Sequence, residues 1–188
     1  MLYGWLFSAM AMAAPHAPVT LATGLGGGGA PGTGGGYAVT RLLLNAGRSG
    51  FSGEAGIREG LFSGELRTVG SIAFGVRWTH KAGPYARVMF AHHHETPLAV
   101  YREDPVGGFV GSADGINHRS GLEVGLGYDW TIPADGFWRR LGIMVDVSVP
   151  ILPQTHAQHG VSHDPLAYAF GEVGLRLDIG KMWAEPSH

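Results

Sequence analysis

The chain has 188 residues, no cysteine and a formal net charge of −2 at pH 7, so we expect one domain and no nucleic-acid partner. Charged residues make up 15% of the sequence, against the roughly 25% of soluble domains. Apolar runs are far shorter than the ~20 residues of a transmembrane helix. The composition therefore excludes a helical membrane protein and a disulfide-built fold, and it is unusual for a soluble domain.

Residues 1–14 resemble a secretory signal peptide, although the segment has no Lys or Arg. Small residues at 11–13 offer a cleavage site, and a buried N-terminal strand or helix is the alternative. We expect an exported chain whose mature barrel spans residues 15–188. The apolar core of the signal consists of Leu2, Trp5, Leu6, Phe7, Met10 and Met12.

Eight stretches between residues 18 and 180 alternate apolar and polar residues, which is the period of a β-strand. The clearest stretch covers residues 167–179. It is longer than a usual strand of a soluble protein and sufficient for a tilted strand that crosses a bilayer, which needs about 9–11 residues. The expected strands are 19–26, 37–46, 51–61, 67–80, 85–95, 119–131, 140–149 and 167–179.

The connections between these strands are alternately tight and long. Tight turns are expected at 47–50, 81–84 and 133–136, and the other connections at 27–36, 63–66, 96–118 and 151–166. Short periplasmic turns and longer outer loops are typical of outer-membrane barrels, which close so that no sheet edge meets lipid. The sequence therefore predicts an all-β fold, an eight-stranded antiparallel up-and-down transmembrane barrel.

Aromatic residues cluster beside two of the tight turns, as expected for a girdle at the membrane interface. They are Trp78, Tyr85, Tyr128, Trp130, Phe137 and Trp138.

The strand faces opposite the apolar ones carry seven arginines and seven acidic residues. Isolated buried charges are costly, so we expect these groups to pair inside the barrel. An eight-stranded barrel is only wide enough for side chains to fill, so the lumen should be closed. The lumen set is Arg41, Glu54, Arg58, Arg67, Arg77, Arg87, Glu95, Glu123, Asp129, Arg140, Asp146, Glu172, Arg176 and Asp178.

Over residues 18–183 the architecture resembles the small eight-stranded barrels of the outer-membrane protein A and X type. The last strand, Glu172-x-Gly174-x-x-Leu177-x-Ile179, is similar to the C-terminal signal read by the barrel assembly machinery. Ile179 stands where an aromatic residue is usual, and nine residues follow it. The resemblance implies the cell outer membrane, contact with outer-membrane lipid and lipopolysaccharide, assembly by that machinery and no particular activity.

Seven of the ten histidines are expected at the outer rim or in outer loops. Their spacing offers donors for Zn²⁺, Cu²⁺ or nickel, but it matches no defined zinc signature. One interpretation is an exposed polar rim without a cofactor, and the other is a weak to moderate metal site. The candidate metal ligands are His92, His93, His94, His156, His159 and His163.

A second cluster depends on strand facing, because His92, His94, His118 and Ser120 should share the lipid face at its outer end. His118-Arg119-Ser120 resembles the His-x-Ser of outer-membrane lipid A deacylases, which implies His118 as the base for a Ser120 nucleophile. Gly and Leu follow Ser120 in place of that family's Asn and Ala, and the family's carboxylate is absent at its usual spacing. Arg119 is expected to reach lipopolysaccharide phosphates.

The glycine-rich residues 24–36 are expected to form a flexible outer loop, since no Lys-Ser/Thr follows to make a phosphate site. The sequence thus favours a structural and interaction barrel. A lipid A-modifying hydrolase, an outer-loop metal-binding protein and a narrow channel remain as alternatives.

Overall fold

In a computed structural model of the protein, eight antiparallel strands follow one another around a closed barrel, and the last strand pairs with the first. The structure describes residues 19–30, 33–44, 50–63, 67–80, 82–132, 136–152 and 169–179. The expected signal peptide lies outside these ranges. The strands are β1 Val19–Ala30, β2 Thr33–Leu44, β3 Gly50–Phe62, β4 Arg67–Thr79, β5 Pro84–Pro97, β6 Asn117–Thr131, β7 Leu141–Ile151 and β8 Ala169–Asp178.

Three short helices complete the described residues. Helices α1 (Leu98–Glu103) and α2 (Pro105–Val110) connect β5 to β6, and a 3-10 helix (Gly136–Arg140) precedes β7. No helix in the described ranges is long and apolar enough to cross a membrane.

The barrel is apolar outside and polar inside. On β6, Leu122, Val124 and Leu126 are 51%, 40% and 67% exposed, whereas Glu123 between them is 1% exposed. A closed sheet satisfies its backbone hydrogen bonds internally, and an apolar exterior of this kind is stable in lipid rather than in water. The predicted fold class is therefore confirmed, and the barrel spans a bilayer.

Exposed aromatic side chains ring the end of the barrel that carries the short turns. Trp78, Trp130 and Trp138 are all at least 44% exposed, as an interfacial girdle requires. Phe51, directly opposite Trp78 in the β3–β4 register and 71% exposed, joins this girdle. Tyr85 does not, because it is the inward-facing residue at its end of β5 and is 3% exposed.

The glycine-rich segment is strand rather than a flexible loop. Its glycines pair residue by residue in the β1–β2 register, from Gly27 opposite Gly36 to Gly29 opposite Gly34, and only residues 31–32 separate the strands. A Cβ on Gly28 would lie 2.6 Å from the Phe170 ring. Glycine is needed here because bulky lumen side chains pack against these strands. The strand ends beyond this hairpin lie within two residues of those predicted.

The long connection between β5 and β6 was expected to be a loop, and it contains α1 and α2. Pro105 occupies the first turn of α2, and the Asp104 carboxylate accepts a hydrogen bond of 2.8 Å from the Gly107 amide. Gly111 ends the helix with φ 78°, a left-handed conformation that glycine adopts freely. These signals form a short capped helix directly beside the outer ends of β5 and β6.

Candidate functional site

Ion pairs from five strands fill the middle of the lumen. Arg41 Nη2 lies 2.6 Å from Glu172 Oε1 and 3.3 Å from Asp146 Oδ1. Arg87 Nη2 lies 2.8 Å from Asp146 Oδ1 and 2.7 Å from Glu123 Oε1. All five side chains are buried. Because each buried charge needs an opposite partner, the network links β2, β5, β6, β7 and β8 across the barrel axis.

Glu54 adds a further carboxylate from β3. Its Oε1 lies 3.5 Å from Arg41 Nη1 and 3.9 Å from Arg87 Nη1. Neither carboxylate oxygen accepts a hydrogen bond from another described residue. Glu54 borders a cavity of about 10 Å³, close to the space that a single water molecule needs.

Aromatic rings and one arginine fill the half of the lumen toward the long connections, which we call the outer half. Arg58 makes two hydrogen bonds to Glu123, of 3.0 and 3.2 Å, and its guanidinium lies 4.2 Å from the Phe170 ring centroid. Phe170 packs edge-on against Tyr37 and Phe62, with centroid distances of 5.3 and 6.3 Å. The guanidinium is thus held by a carboxylate on one side and a ring on the other.

The other half of the lumen contains a second charged group. Arg77 pairs with Asp129, which also lies 3.3 Å from Arg176 Nη1. The Arg77 guanidinium stacks 3.5 Å from the Tyr85 ring centroid. The Tyr85 hydroxyl donates a 2.9 Å hydrogen bond to Asp146, so this group is continuous with the central network.

Asp178 and Arg140 are two further members of the predicted lumen set. Asp178 accepts a 2.7 Å hydrogen bond from the Thr20 hydroxyl, which joins β8 to β1. Arg140 was expected within a lumen-lining strand, but it ends the 3-10 helix and is only partly buried, because the chain makes a helical turn before β7 begins. The Arg67 side chain lies outside the described part of the chain.

His93 and Arg119 face the lumen, contrary to the prediction of an outer-rim position. They are opposite each other in the β5–β6 register and are 1% and 3% exposed. The His93 ring stacks on Phe170 with a centroid distance of 6.2 Å, and its Nε2 lies 3.9 Å from Glu123 Oε2. The period of two itself places the middle residue of three histidines on the opposite face. The Arg119 side chain is therefore not part of the lipid-facing surface.

On the outside of the barrel, the structure brings together the expected group of three histidines and one serine. His92 lies opposite Ser120, and His94 opposite His118, on adjacent strands. His92 Nδ1 is 2.8 Å from Ser120 Oγ, and His92 Nε2 is 3.1 Å from His118 Nδ1. Ser120 is thus paired with His92 across the strands rather than with His118, since directly opposed side chains are closer than neighbours at i and i+2 on one strand.

His94 extends this group across the neighbouring strand. Its Nε2 lies 3.9 Å from Glu59 Oε2 on β3. Gly70 of β4 lies between them in the register, and a Cβ there would collide with the His94 ring. Because glycine leaves this gap, a polar row runs over the exterior of four strands. We call Glu59, His94, His118, His92 and Ser120 the outer polar row.

The C-terminal end of α2 covers part of the outer polar row. The His94 ring makes a hydrogen bond to the backbone of Phe109, and the His118 ring makes one to the backbone of Gly111. Val106, Phe109 and Val110 are 73%, 45% and 57% exposed, which gives α2 an apolar outer face. The helix therefore fixes two imidazoles and presents apolar side chains beside them.

Within the described ranges, the three predicted metal ligands of β5 do not share one face of the strand. His93 points away from His92 and His94, into the lumen. Among the described residues no group of three or more His, Asp or Glu side chains is arranged to hold a metal ion. His156, His159 and His163 lie outside the described residues, so their part of the metal hypothesis stays a prediction.

A similar fold occurs in the solved structure of Neisserial surface protein A. Neisserial surface protein A is 11% identical, with a TM-score of 0.54 over 86% of this chain and 96% of that chain. The translocator domain of the autotransporter NalP from Neisseria meningitidis is 10% identical, with a TM-score of 0.31 over 94% of each chain. No protein-family model matches the sequence, and no curated protein matches it significantly.

The likeness to Neisserial surface protein A concerns the fold, which is the closed eight-stranded barrel described above. The exterior of this chain adds an apolar band with an aromatic girdle at one end. Those are the features of barrels from the outer membrane. The chain is accordingly an eight-stranded β-barrel of the outer membrane, similar in architecture to Neisserial surface protein A.

Proposed function

We propose that the chain is a structural and interaction protein whose lumen is closed by paired charges and whose histidine-containing outer rim meets lipid or another surface. The observation that carries this proposal is the central network, in which Arg41 and Arg87 join carboxylates from three other strands in the middle of the lumen. A barrel filled in this way stabilises the envelope and presents its outer connections, and it does not pass solutes.

Conductance in planar bilayers tests the closed lumen. The purified wild-type protein should give no resolved unitary currents. Replacing Arg87 and Glu123 together with alanine should produce brief openings, because it removes a pair from the central network. Val88→Ala, which changes the lipid-facing neighbour of Arg87, is the matched control and should stay silent. Stable unitary currents from the wild type would show that the lumen is a channel.

The partners that fit this proposal are outer-membrane lipid and lipopolysaccharide around the apolar band, and the barrel assembly machinery during insertion. The segment offered to that machinery is β8, which closes the barrel on β1. Replacing Leu177 with a polar residue should lower the yield of inserted barrel in cells, measured as the protease-resistant fraction. The same replacement should have less effect on refolding in vitro if the machinery reads this strand.

A second candidate function is acyl-ester hydrolysis on outer-leaflet lipid, for which the sequence suggests His118 and Ser120. Its support is the half-buried Ser120 hydroxyl, which lies 2.8 Å from an imidazole nitrogen on the lipid-facing side. Purified protein incubated with lipopolysaccharide should then release fatty acid, and Ser120→Ala should abolish the release. Intact acyl chains after incubation with the wild type would remove the hydrolase candidate and leave the structural and interaction protein as the proposal.

A further inference from the structure

We propose that His92, rather than His118, is the base that activates Ser120 toward acyl esters of outer-leaflet lipids, and that His118 positions His92. This inference rests on the hydrolase candidate. It assigns the proton acceptor to His92 on the neighbouring strand. The sequence motif, in contrast, offers only His118, two residues before Ser120.

We assign the tautomers of His92 and His118 from the hydrogen bond between His118 and the Gly111 backbone. His118 has Nδ1 facing His92, so Nε2 is the nitrogen left to donate to the Gly111 carbonyl. His118 Nδ1 is then an acceptor, and it takes the proton of His92 Nε2 at 3.1 Å. His92 Nδ1 in turn is unprotonated and accepts from the Ser120 hydroxyl at 2.8 Å. The hydrogen bond from His118 to the Gly111 carbonyl thus leaves the unprotonated Nδ1 of His92 facing the Ser120 hydroxyl.

His118 is not positioned to act as the base for Ser120. One of its nitrogens faces His92 and the other the Gly111 backbone, so both are engaged away from Ser120. The ring also stacks on His92, with centroids 5.2 Å apart and planes 25° apart. This arrangement suits a residue that orients a base and stabilises its protonated form, which is the part played by the third member of a Ser-His-acid triad.

The site lies where an acyl chain would reach it. Going toward the middle of the membrane, the next outward residues are Phe90 below His92 and Leu122 below Ser120, which are 43% and 51% exposed. On the other side are the exposed Phe109 and Val110 of α2. An ester whose chain lies along the Phe90–Leu122 pair would hold its carbonyl at the level of Ser120. The substrate class is therefore an acyl ester of a bilayer lipid rather than a soluble ester.

The reaction balances with water as the only co-reactant. Ser120 Oγ forms a bond to the acyl carbon as its proton moves to His92 Nδ1. The bond from that carbon to the alcohol oxygen then breaks, and the same proton passes to the leaving alcohol. Water attacks the acyl-Ser120, its proton moves to His92 Nδ1 and then to Ser120 Oγ, and the fatty acid leaves.

Conservative replacements separate the roles of the two histidines. Release of fatty acid from lipopolysaccharide in mixed vesicles and labelling of Ser120 by a fluorophosphonate should be measured on folded, heat-modifiable protein. His92→Asn should lower both rates by about 10²–10⁴-fold, because an amide does not take up the proton. His118→Asn should keep most of the release, since its amide oxygen replaces Nδ1 as acceptor. His118→Leu should lower release at least tenfold and shift the acidic limb of its pH profile.

The opposite pattern would overturn the assignment. If His118→Asn is as inactive as His118→Leu while His92→Asn retains release, the base is His118 and the hydrolase candidate survives without this inference. A wild-type protein that neither releases fatty acid nor accepts the label removes the hydrolase candidate and the inference together, while the closed barrel stands. Loss in His92→Asn with retention in His118→Asn supports the inference.

Discussion

Arg58 and Glu123 face each other across the lumen from β3 and β6, joined by two hydrogen bonds of 3.0 and 3.2 Å. Both side chains are buried, and the rings of Tyr37 and Phe170 lie beside the guanidinium. An ion pair with two hydrogen bonds is a strong one, and here it joins strands that are not neighbours in the sheet. The lumen therefore braces the barrel from within.

Replacing one member of the Arg58–Glu123 pair should destabilise the barrel more than replacing both. Arg58→Met leaves Glu123 with Arg87 as its ion-pair partner, whereas Glu123→Met takes the carboxylate away from both arginines. Each single replacement should cost up to about 3–5 kcal/mol in the free energy of unfolding, with Glu123→Met the more costly. The double replacement Arg58→Met/Glu123→Met should cost less than the sum of the single ones. Urea unfolding in lipid vesicles measures all three. Additive single effects would show that the two side chains are not coupled.

Neighbouring glycines of β2 should differ sharply in their tolerance of substitution. A Cβ on Gly35 would lie 2.7 Å from the Phe62 Cα and in collision with the Leu61 carbonyl, whereas one on Gly34 would have 3.8 Å to its nearest neighbour. We expect Gly35→Val to reduce the yield of refolded barrel severalfold and Gly34→Val to leave it unchanged. Heat-modifiability on gels gives the folded fraction, and equal yields for the two variants would contradict the packing described for this hairpin.

Two buried tyrosine hydroxyls in the lumen should respond differently to removal. The Tyr85 hydroxyl lies within hydrogen-bond distance of the Asp146 carboxylate at 2.9 Å and the Val145 carbonyl at 3.1 Å. The Tyr37 hydroxyl has no hydrogen-bond partner among the described residues. Tyr85→Phe should therefore cost about 1–2 kcal/mol in unfolding free energy, and Tyr37→Phe close to none. A larger loss for Tyr37→Phe would contradict the assignment of these contacts.

Metal binding, if it occurs, should depend on the outer loop between β7 and β8. Zn²⁺ or Cu²⁺ should bind weakly to moderately at pH 7.5 and be lost below about pH 6, because protonated imidazole does not ligate. Replacing His156, His159 and His163 together should remove most binding without changing barrel folding. Calorimetry compares the triple variant with the wild type. No binding at pH 7.5, or binding that survives the triple replacement, would leave an exposed polar rim.

The alternation of apolar and polar residues was enough to predict the barrel, its eight strands and most of its lumen charges. Glu123 illustrates why. It lies between Leu122 and Val124, which must face lipid, so the period of two directs its own side chain into the lumen. The glycine-rich hairpin was missed because glycine has no side chain to show a period. Its strands are defined by what packs against them, above all Phe62 and Phe170, which are distant in the sequence.

The pairing of Ser120 was beyond reach of the sequence motif for a related reason. A motif within one strand contains His118, two residues before Ser120, whereas the partner of Ser120 at hydrogen-bond distance is His92 on another strand. The cross-strand register decides such contacts, and a motif within one strand does not contain it. The inward direction of His93 was available from the alternation, but the run of three histidines suggested a single exposed cluster.

The most direct test of a barrel that is apolar outside and polar inside is a scan of β6 with single cysteines, which the cysteine-free chain allows. Spin labels are placed one at a time at residues 122–126 of the protein in lipid vesicles, and their collision rates with oxygen, which concentrates in lipid, are measured. Labels at Leu122, Val124 and Leu126 should show high rates, and labels at Glu123 and Gly125 low ones. Rates without a period of two, or with the opposite phase, would contradict the lipid-facing register on which the whole account depends.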